Sequence, residues 1–218
     1  MSAAGFDFVV LAPDEEVENG ADKNLPPREL VRRLAYLKAK HVSQIIGDHP
    51  MPAQLTKSPI SNNETTNKPA DRPSASGNHR AAAPSADEAT PAIIVAADTV
   101  AICHEQILGK PANRDDAGRM LQLMSGQRHH VITGVCLWEI PTQKNLAFVE
   151  QSTLWMEPLS NSQLEMYLDT GQWKGKAGAF GYQDGLDWVH LEQGLASNVV
   201  GLPIERIPEW LQELESTR

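Results

Sequence analysis

The feature that most constrains the fold is a stretch from Met51 to Ala92 that contains almost no large apolar residues. Most of it reads LTKSPISNNETTNKPADRPSASGNHRAAAPSADEATP and is rich in Pro, Ser, Asn, Thr and Ala. Such a segment cannot bury enough apolar surface to offset the conformational entropy lost on folding. We therefore interpret residues 51–92 as a disordered insertion within one domain that spans residues 1–218.

The segments on both sides of the insertion carry clear secondary-structure patterns. Before it, PPRELVRRLAYLKAKHVSQII has apolar residues at helical steps and two prolines that suit a helix start. After it, AIIVAA is a short apolar run with β-branched residues, which predicts a strand buried on both faces. The next residues, DTVAICHEQILGK, are expected to turn back on themselves around positions 104–106.

The rest of the chain mixes helical and strand patterns. RDDAGRMLQLM predicts a helix capped by Asn113, and SNSQLEMYLDT and IPEWLQELE predict two further helices. Strands are predicted at HVITGVCLWEI and LAFVEQSTLWM, and a Gly-rich segment follows the second of the three helices. This mixture indicates an α/β or α+β domain.

Charge and composition exclude several classes of protein. The net charge of −9 argues against a broad nucleic-acid surface, which needs a basic stripe. Cys103 and Cys136 are too few for a disulfide framework. No apolar run approaches the roughly 18 residues of a membrane span, and the N-terminus has no signal-peptide pattern. We expect a cytoplasmic protein without nucleic-acid or membrane partners, whose cations for any anionic ligand are concentrated locally.

Two charged residues occupy positions that are normally apolar. Lys38 lies four residues after Leu34 and four before Val42, on the apolar stripe of its helix. Its side chain either reaches water from the edge of that stripe or places its ammonium, a cation, at the wall of a cleft. Asp98 directly follows IIVAA, which places it at or near the carboxyl end of a buried strand, where open α/β sheets bind ligands. It is either a capping residue or a general base or Mg²⁺ ligand.

Further polar candidates lie in turns. Lys110 follows Gly109, and Lys176 and Gln183 lie in the Gly-rich segment GKAGAFGYQD, where backbone amides could approach a ligand. Lysines bind phosphates through charge-assisted hydrogen bonds, and a carboxylate can bind Mg²⁺ or activate water. This combination suggests hydrolysis of a phosphate ester or anhydride.

A set of ordered motifs resembles the Maf family of nucleotide pyrophosphatases. The motifs are LAYLKA, AADTVAICHEQILGKP, DDAGRMLQLMSGQRHHVITGV, GKAGAFGYQDGLDWV and GLASNVVGLP. The resemblance implies an α/β fold of the Maf/inosine triphosphatase-like type: a mixed twisted sheet flanked by helices, in two lobes with a nucleotide cleft between them. It implies conversion of a nucleoside triphosphate to the monophosphate and pyrophosphate with a divalent metal, Mg²⁺ or Mn²⁺. It also implies that a homodimer can form.

The resemblance assigns roles to residues by position. Asp98 matches the proton acceptor that activates water, and it is also the expected metal ligand. The phosphate-binding residues implied are Lys38, Lys110 and Lys176, and Glu16 matches an early acidic residue of the family. Thr99 and Gln183 match positions tied to base selection, and the form KAGAFGYQD resembles the branch that prefers dTTP and UTP.

One family motif has no counterpart in the sequence. Family members begin with a strand and a Ser-x-Ser-Pro-Arg-Arg turn that grips the triphosphate, whereas this sequence begins MSAAGFDF, which resembles the segment after that turn. We expect the natural product to be longer at its N-terminus. The alternative is a catalytically impaired nucleotide-binding or cell-division regulatory protein of the same fold.

Overall fold

The computed structural model of the protein describes residues 8–12, 17, 21–22, 24–48 and 92–217. The predicted insertion at 51–92 lies outside the described residues except for Ala92, and so does Glu16.

Five strands form one sheet in the order β2-β1-β3-β4-β5. The strands are β1 (Ile93–Cys103), β2 (Gln106–Leu108), β3 (Arg128–Glu139), β4 (Asn145–Met156) and β5 (Val189–Gln193). Each pair of neighbours is antiparallel, so the expectation of a mixed sheet is wrong for the described strands. The α/β class, with a sheet flanked by helices, is confirmed.

The strand β1 is longer than the apolar run that predicted it. Its ladder with β3 continues as far as Ile102, and the chain turns back at His104 and Glu105, both with positive φ. Asp98 is therefore the sixth of 11 residues in β1, not a residue at its end. The prediction of a strand end failed because backbone pairing to β3 carries the extended chain past the carboxylate. Around Asp98 the strand is half-buried instead of buried on both faces.

Two of the α-helices, α1 and α5, cover opposite faces of the sheet. The α-helices of the described residues are α1 (Pro27–Asp48), α2 (Arg114–Met124), α3 (Asn161–Thr170), α4 (Ala196–Val200) and α5 (Ile207–Ser216). Cys136 of β3 packs with Ala39 of α1, while its neighbours Val135 and Leu137 pack with Trp210 of α5. Alternate residues of a strand point to opposite faces, so α1 and α5 enclose the sheet between them.

The apolar core of the described residues falls into several clusters. Two of them, around α1 and α5, involve the first half of β1 and the second half of β3. A separate cluster at the other end of the sheet includes α2 and α3, with Ala101, Val131 and Leu154 from the strands. The helix α2 has the predicted bounds and its cap, since the Asn113 side chain accepts a hydrogen bond from the Asp116 backbone N–H. Asp98 and Thr99, in the middle of β1, lie between Ala97, which packs in the α5 cluster, and Val100, which packs in a small cluster with Val31 of α1.

Candidate functional site

A cleft of about 330 Å³ opens beside the middle of β1. The strand β2 pairs only with residues Ala101–Cys103 of β1. Within the described residues, no strand therefore pairs with the same edge of β1 before Ala101. Three consecutive β1 residues, Ala97, Asp98 and Thr99, line the cleft. Because successive side chains of a strand point to opposite faces of the sheet, the cleft must run along the edge of β1. It brings together every predicted site residue that the structure describes: Lys38, Asp98, Thr99, Lys110, Lys176 and Gln183.

Lys38 and Asp98 form an ion pair in the wall of the cleft. The Lys38 Nζ atom lies 2.5 Å from Asp98 Oδ1, and the two side chains are only 14% and 12% exposed. A buried carboxylate requires such a charged partner. The sequence left two interpretations of the Lys38 side chain open. The structure agrees with the second, because the ammonium lies at the wall of the cleft.

Gly134 explains how the helix that carries Lys38 comes so close to the sheet. Gly134 is the cross-strand neighbour of Asp98, so both residues face α1. A Cβ atom on Gly134 would collide with the backbone carbonyl of Val31 in α1. The absence of a side chain thus lets the α1 backbone lie directly on β3. The sequence does not reveal this role, because a glycine in a strand pattern does not show which backbone segment approaches it.

The other lysines reach the cleft from two connected loops. The Gly178 backbone N–H donates to the Gly109 carbonyl at 3.1 Å, which ties the Lys110 turn to the Gly-rich segment. Lys176 precedes a short 3-10 helix at Ala177–Ala179, and its ammonium contacts the Asp184 carboxylate. Asp184 directly follows Gln183 and was not identified from the sequence. Its only sequence signal is its place in the same Gly-rich segment as Lys176.

A buried polar network anchors the cleft wall opposite α1. The hydroxyls of Thr99 and Thr133 lie 2.9 Å apart, and Thr133 donates to the Asn198 carbonyl at 3.1 Å. The Asn198 side chain donates to the Val131 carbonyl and to Ser152 Oγ. Thr133, Ser152 and Asn198 are fully buried. The network fixes α4 against β3 and β4, and with it the cleft-lining residues at the end of α4.

We expect Asn198→Ala to destabilise the protein by about 2 kcal/mol, because it removes the side-chain donor to the buried Val131 carbonyl and one of the two donors to Ser152 Oγ. Urea unfolding followed by tryptophan fluorescence measures the change. Asn145→Ala, which removes one exposed hydrogen bond to Gln143, is the matched control and should cost less than about 0.5 kcal/mol. Equal losses in the two variants would contradict the role given to Asn198.

His129 is a fully buried histidine directly behind the cleft. Its ring packs edge-to-face against Phe180, which lines the cleft, with 5.5 Å between ring centroids. Burial lowers the His129 pKa from 6.5 to about 4; a hydrogen bond with the Gln127 backbone opposes this shift and the nearby His130 adds to it. The ring is therefore neutral at neutral pH and acts as a packing group. Neither His129 nor His130 belongs to a cluster of metal ligands among the described residues.

The His129 pKa makes stability depend on pH. Between pH 6.5 and 4 the unfolded chain binds this proton and the folded chain does not, so stability is full above pH 6.5 and falls with pH toward 4. The loss attributable to His129 is about 3 kcal/mol. We expect His129→Leu to reduce the slope of unfolding free energy against pH in this window, measured by urea titration. Above pH 6.5, where the His129 ring is neutral in both the folded and the unfolded state, the two proteins should have the same slope.

The charge of the cleft differs from that of the whole chain. Among the described residues that line it are three lysines and one carboxylate, Asp98, in a protein of net charge −9. This local excess of cations attracts a small polyanion. No three His, Cys, Asp or Glu residues in the described part of the chain form a cluster that could hold a metal alone. A single carboxylate beside lysines instead fits a hard cation that is shared with phosphate oxygens.

Comparison with known proteins agrees with the geometry of the cleft. The model of the Maf family, described as Maf-like protein, matches residues 1–214, so the chain belongs to the Maf family. It is 38% identical over 216 residues to a protein of Rhodopirellula baltica named dTTP/UTP pyrophosphatase, covering 99% of this chain and 76% of that relative. A protein of the same name from Dictyoglomus thermophilum is 31% identical over 96% of this chain and 86% of its own length.

A shorter match has higher identity. A dTTP/UTP pyrophosphatase of Carboxydothermus hydrogenoformans is 40% identical over 122 residues, which are 56% of this chain and 66% of that relative. Within the described residues, no helix is long and apolar enough to cross a membrane.

Proposed function

We propose that the protein is a nucleoside triphosphate pyrophosphatase that hydrolyses dTTP and UTP to the monophosphate and pyrophosphate. The observation that carries the proposal is the Lys38–Asp98 pair at the edge of β1, in a cleft that Lys110 and Lys176 also line. The names of the relatives point to the same reaction. Among the residues that the structure describes, no contact in the cleft favours a catalytically impaired binding or regulatory protein, the alternative raised by the sequence.

The reaction requires water to attack the α-phosphorus and pyrophosphate to leave. Asp98 accepts the proton of the attacking water, since it is the carboxylate among the described residues that line the cleft. The new bond joins the water oxygen to the α-phosphorus, and the broken bond links that phosphorus to the oxygen bridging to the β-phosphate. Lys38, Lys110 and Lys176 neutralise the charge that develops on the phosphate oxygens. Before the attack, when the substrate binds, Lys38 exchanges the Asp98 carboxylate for a phosphate oxygen, which frees the carboxylate to accept the proton.

A divalent metal, Mg²⁺ or Mn²⁺, fits the donor set of the cleft. Asp98 is the residue that would hold it, together with oxygens of the substrate phosphates, as is usual for Mg²⁺. The ion supplies positive charge that polarises the phosphoryl group. Thr99 and Gln183 are proposed to select the base. A Gln amide can accept from the N3–H of uracil or thymine and donate to O4, whereas cytosine offers no N3–H.

The substrate assignment is tested by the effect of Gln183→Ala on a panel of triphosphates. We expect kcat/KM for UTP and dTTP to fall by at least about tenfold, because a pair of hydrogen bonds to the base contributes roughly 1.4 kcal/mol or more. The value for CTP should change little. Gln172→Ala alters an exposed glutamine outside the cleft lining and serves as the control. A uniform fall across all bases would show that Gln183 does not read the base.

The organisation of the whole protein forms part of the proposal. Residues 1–218 make one Maf-like domain that acts in the cytoplasm on a free nucleotide. Glu16 is proposed to be the early acidic residue of the family, and a homodimer is the assembly implied by the family resemblance. Size-exclusion chromatography with light scattering tests the assembly. A monomer at all concentrations would contradict it.

A further inference from the structure

The proposed mechanism gives a role to Lys176 but none to Asp184, the carboxylate that pairs with it. Lys176 lines the cleft, and its ammonium contacts the carboxylate of Asp184, whose side chain is 13% exposed. A carboxylate at the margin of a site for a polyanion repels the ligand, and the repulsion is strong where water is largely excluded. Asp184 therefore opposes substrate binding unless it serves another purpose.

The local backbone is built to hold Asp184 against Lys176. A Cβ atom on Gly181 would lie 2.5 Å from both Asp184 Oδ2 and Lys176 Nζ, so the pair occupies the space that a side chain at this position would take. The Asp184 backbone N–H donates to the Gly181 carbonyl at 3.0 Å, and Gly185 follows with a φ of 70°. The turn thus aims the carboxylate back over Gly181 toward the lysine.

A second group reports the same placement of the carboxylate. Tyr167 of α3 is buried against Trp188, with ring centroids 5.3 Å apart. The pKa of Tyr167 is raised to about 12, first by burial and then by the negative charge of Asp184. The Asp184 carboxylate, which pairs with Lys176, is thus partly buried and close enough to the Tyr167 phenol to influence its pKa.

We propose that Asp184 is an internal competitor of phosphate for Lys176. When the ligand binds, the Lys176 ammonium exchanges the carboxylate for a phosphate oxygen. When pyrophosphate leaves, Asp184 pairs with Lys176 again, which stabilises the empty cleft and favours product release. Asp184 is thus a positioning residue that acts through Lys176. The identity of the ligand as a nucleotide rests on the proposed function, whereas the exchange requires only a polyphosphate.

Removing the carboxylate charge separates this role from a purely orienting one. If Asp184 only orients Lys176, its replacement loosens the lysine and weakens the binding of polyphosphate. If it competes, its replacement strengthens binding, because phosphate no longer has to displace a charged partner. Asp184→Asn is the informative change, since its amide oxygen can still accept from Lys176 while the charge is lost.

The test is isothermal titration calorimetry of the full chain with inorganic pyrophosphate. We expect Asp184→Asn to lower the Kd for pyrophosphate by about tenfold. Asp184→Glu should restore a Kd close to that of the unmodified chain. Asp169→Asn is the matched control, since Asp169 pairs with Arg114 and is 72% exposed, and its Kd should not change. In steady-state assays the Asp184→Asn variant should also have a lower KM for the nucleotide.

An unchanged or higher Kd for Asp184→Asn would overturn the inference, and so would the absence of pyrophosphate binding in both proteins. If Asp184→Asn melts too low for titration, Asp184→Ser provides the same test, because a hydroxyl also accepts from Lys176 without charge. The two proposals fail separately. If the protein does not hydrolyse dTTP or UTP and Asp184→Asn still binds pyrophosphate more tightly, the proposed reaction is wrong and the exchange at Lys176 stands.

Discussion

Asp98→Asn is expected to lower kcat for dTTP about 1,000-fold, within the range that a positioned general base contributes. The amide oxygen can still accept from Lys38, so the contact at the cleft wall is retained while the proton acceptor is lost. The expected loss falls on kcat more than on KM, because the lysines that bind phosphate remain. A coupled assay for released pyrophosphate gives both constants.

The same change at Asp169 is the control for Asp98→Asn. Asp169 forms an ion pair with Arg114 and is exposed, so Asp169→Asn should leave kcat within about twofold of the unmodified value. Thermal unfolding of both variants shows whether either change disturbs the fold. Full activity in a folded Asp98→Asn variant would mean that another group accepts the proton, and the assignment of Asp98 would then be wrong.

Gly134→Ala is expected to have the largest effect on stability, about 3 kcal/mol of unfolding free energy. The added methyl group would collide with the backbone of Val31, and no side-chain rotation relieves a clash with backbone. The helix α1 must move away from β3, and it carries Lys38 away from Asp98. We therefore expect a loss of activity as well, larger than the loss of stability alone would produce. Urea unfolding and pyrophosphate release measure the two effects.

Gly47→Ala provides the control within the same helix. A Cβ atom on Gly47 would meet nothing within 4 Å, and alanine has the higher helix propensity. This variant should be as stable as the unmodified protein or more stable by up to about 1 kcal/mol. If Gly134→Ala proved as harmless as Gly47→Ala, the close contact between α1 and β3 would not be what positions Lys38.

Local patterns predicted the secondary structure well where a chemical signal marks each boundary. The bounds of α2 were correct because Asn113 caps its start and Ser125-Gly126 ends it. The residues Lys38, Lys110, Lys176 and Gln183 were singled out because charged or amide groups beside apolar or Gly-rich segments require an explanation. The structure places these four in one cleft.

Features that depend on contacts between distant segments could not be predicted in the same way. The position of Asp98 within β1 depends on pairing with β3, about 35 residues further along the chain. The role of Gly134 depends on the path of α1, and that of Asp184 on a turn that returns its side chain over Gly181. The antiparallel order of the strands is likewise a property of the whole sheet, which the strand patterns alone do not determine.

The most direct test of the proposed reaction is the identity of its products from dTTP and Mg²⁺, followed by ³¹P NMR. The measurement is made with this chain and with a form extended by the Ser-x-Ser-Pro-Arg-Arg turn before Met1. Cleavage between the α and β phosphates yields dTMP and pyrophosphate in equal amounts, which is the expected result. Formation of dTDP and orthophosphate, or no turnover by either form, would contradict the proposal.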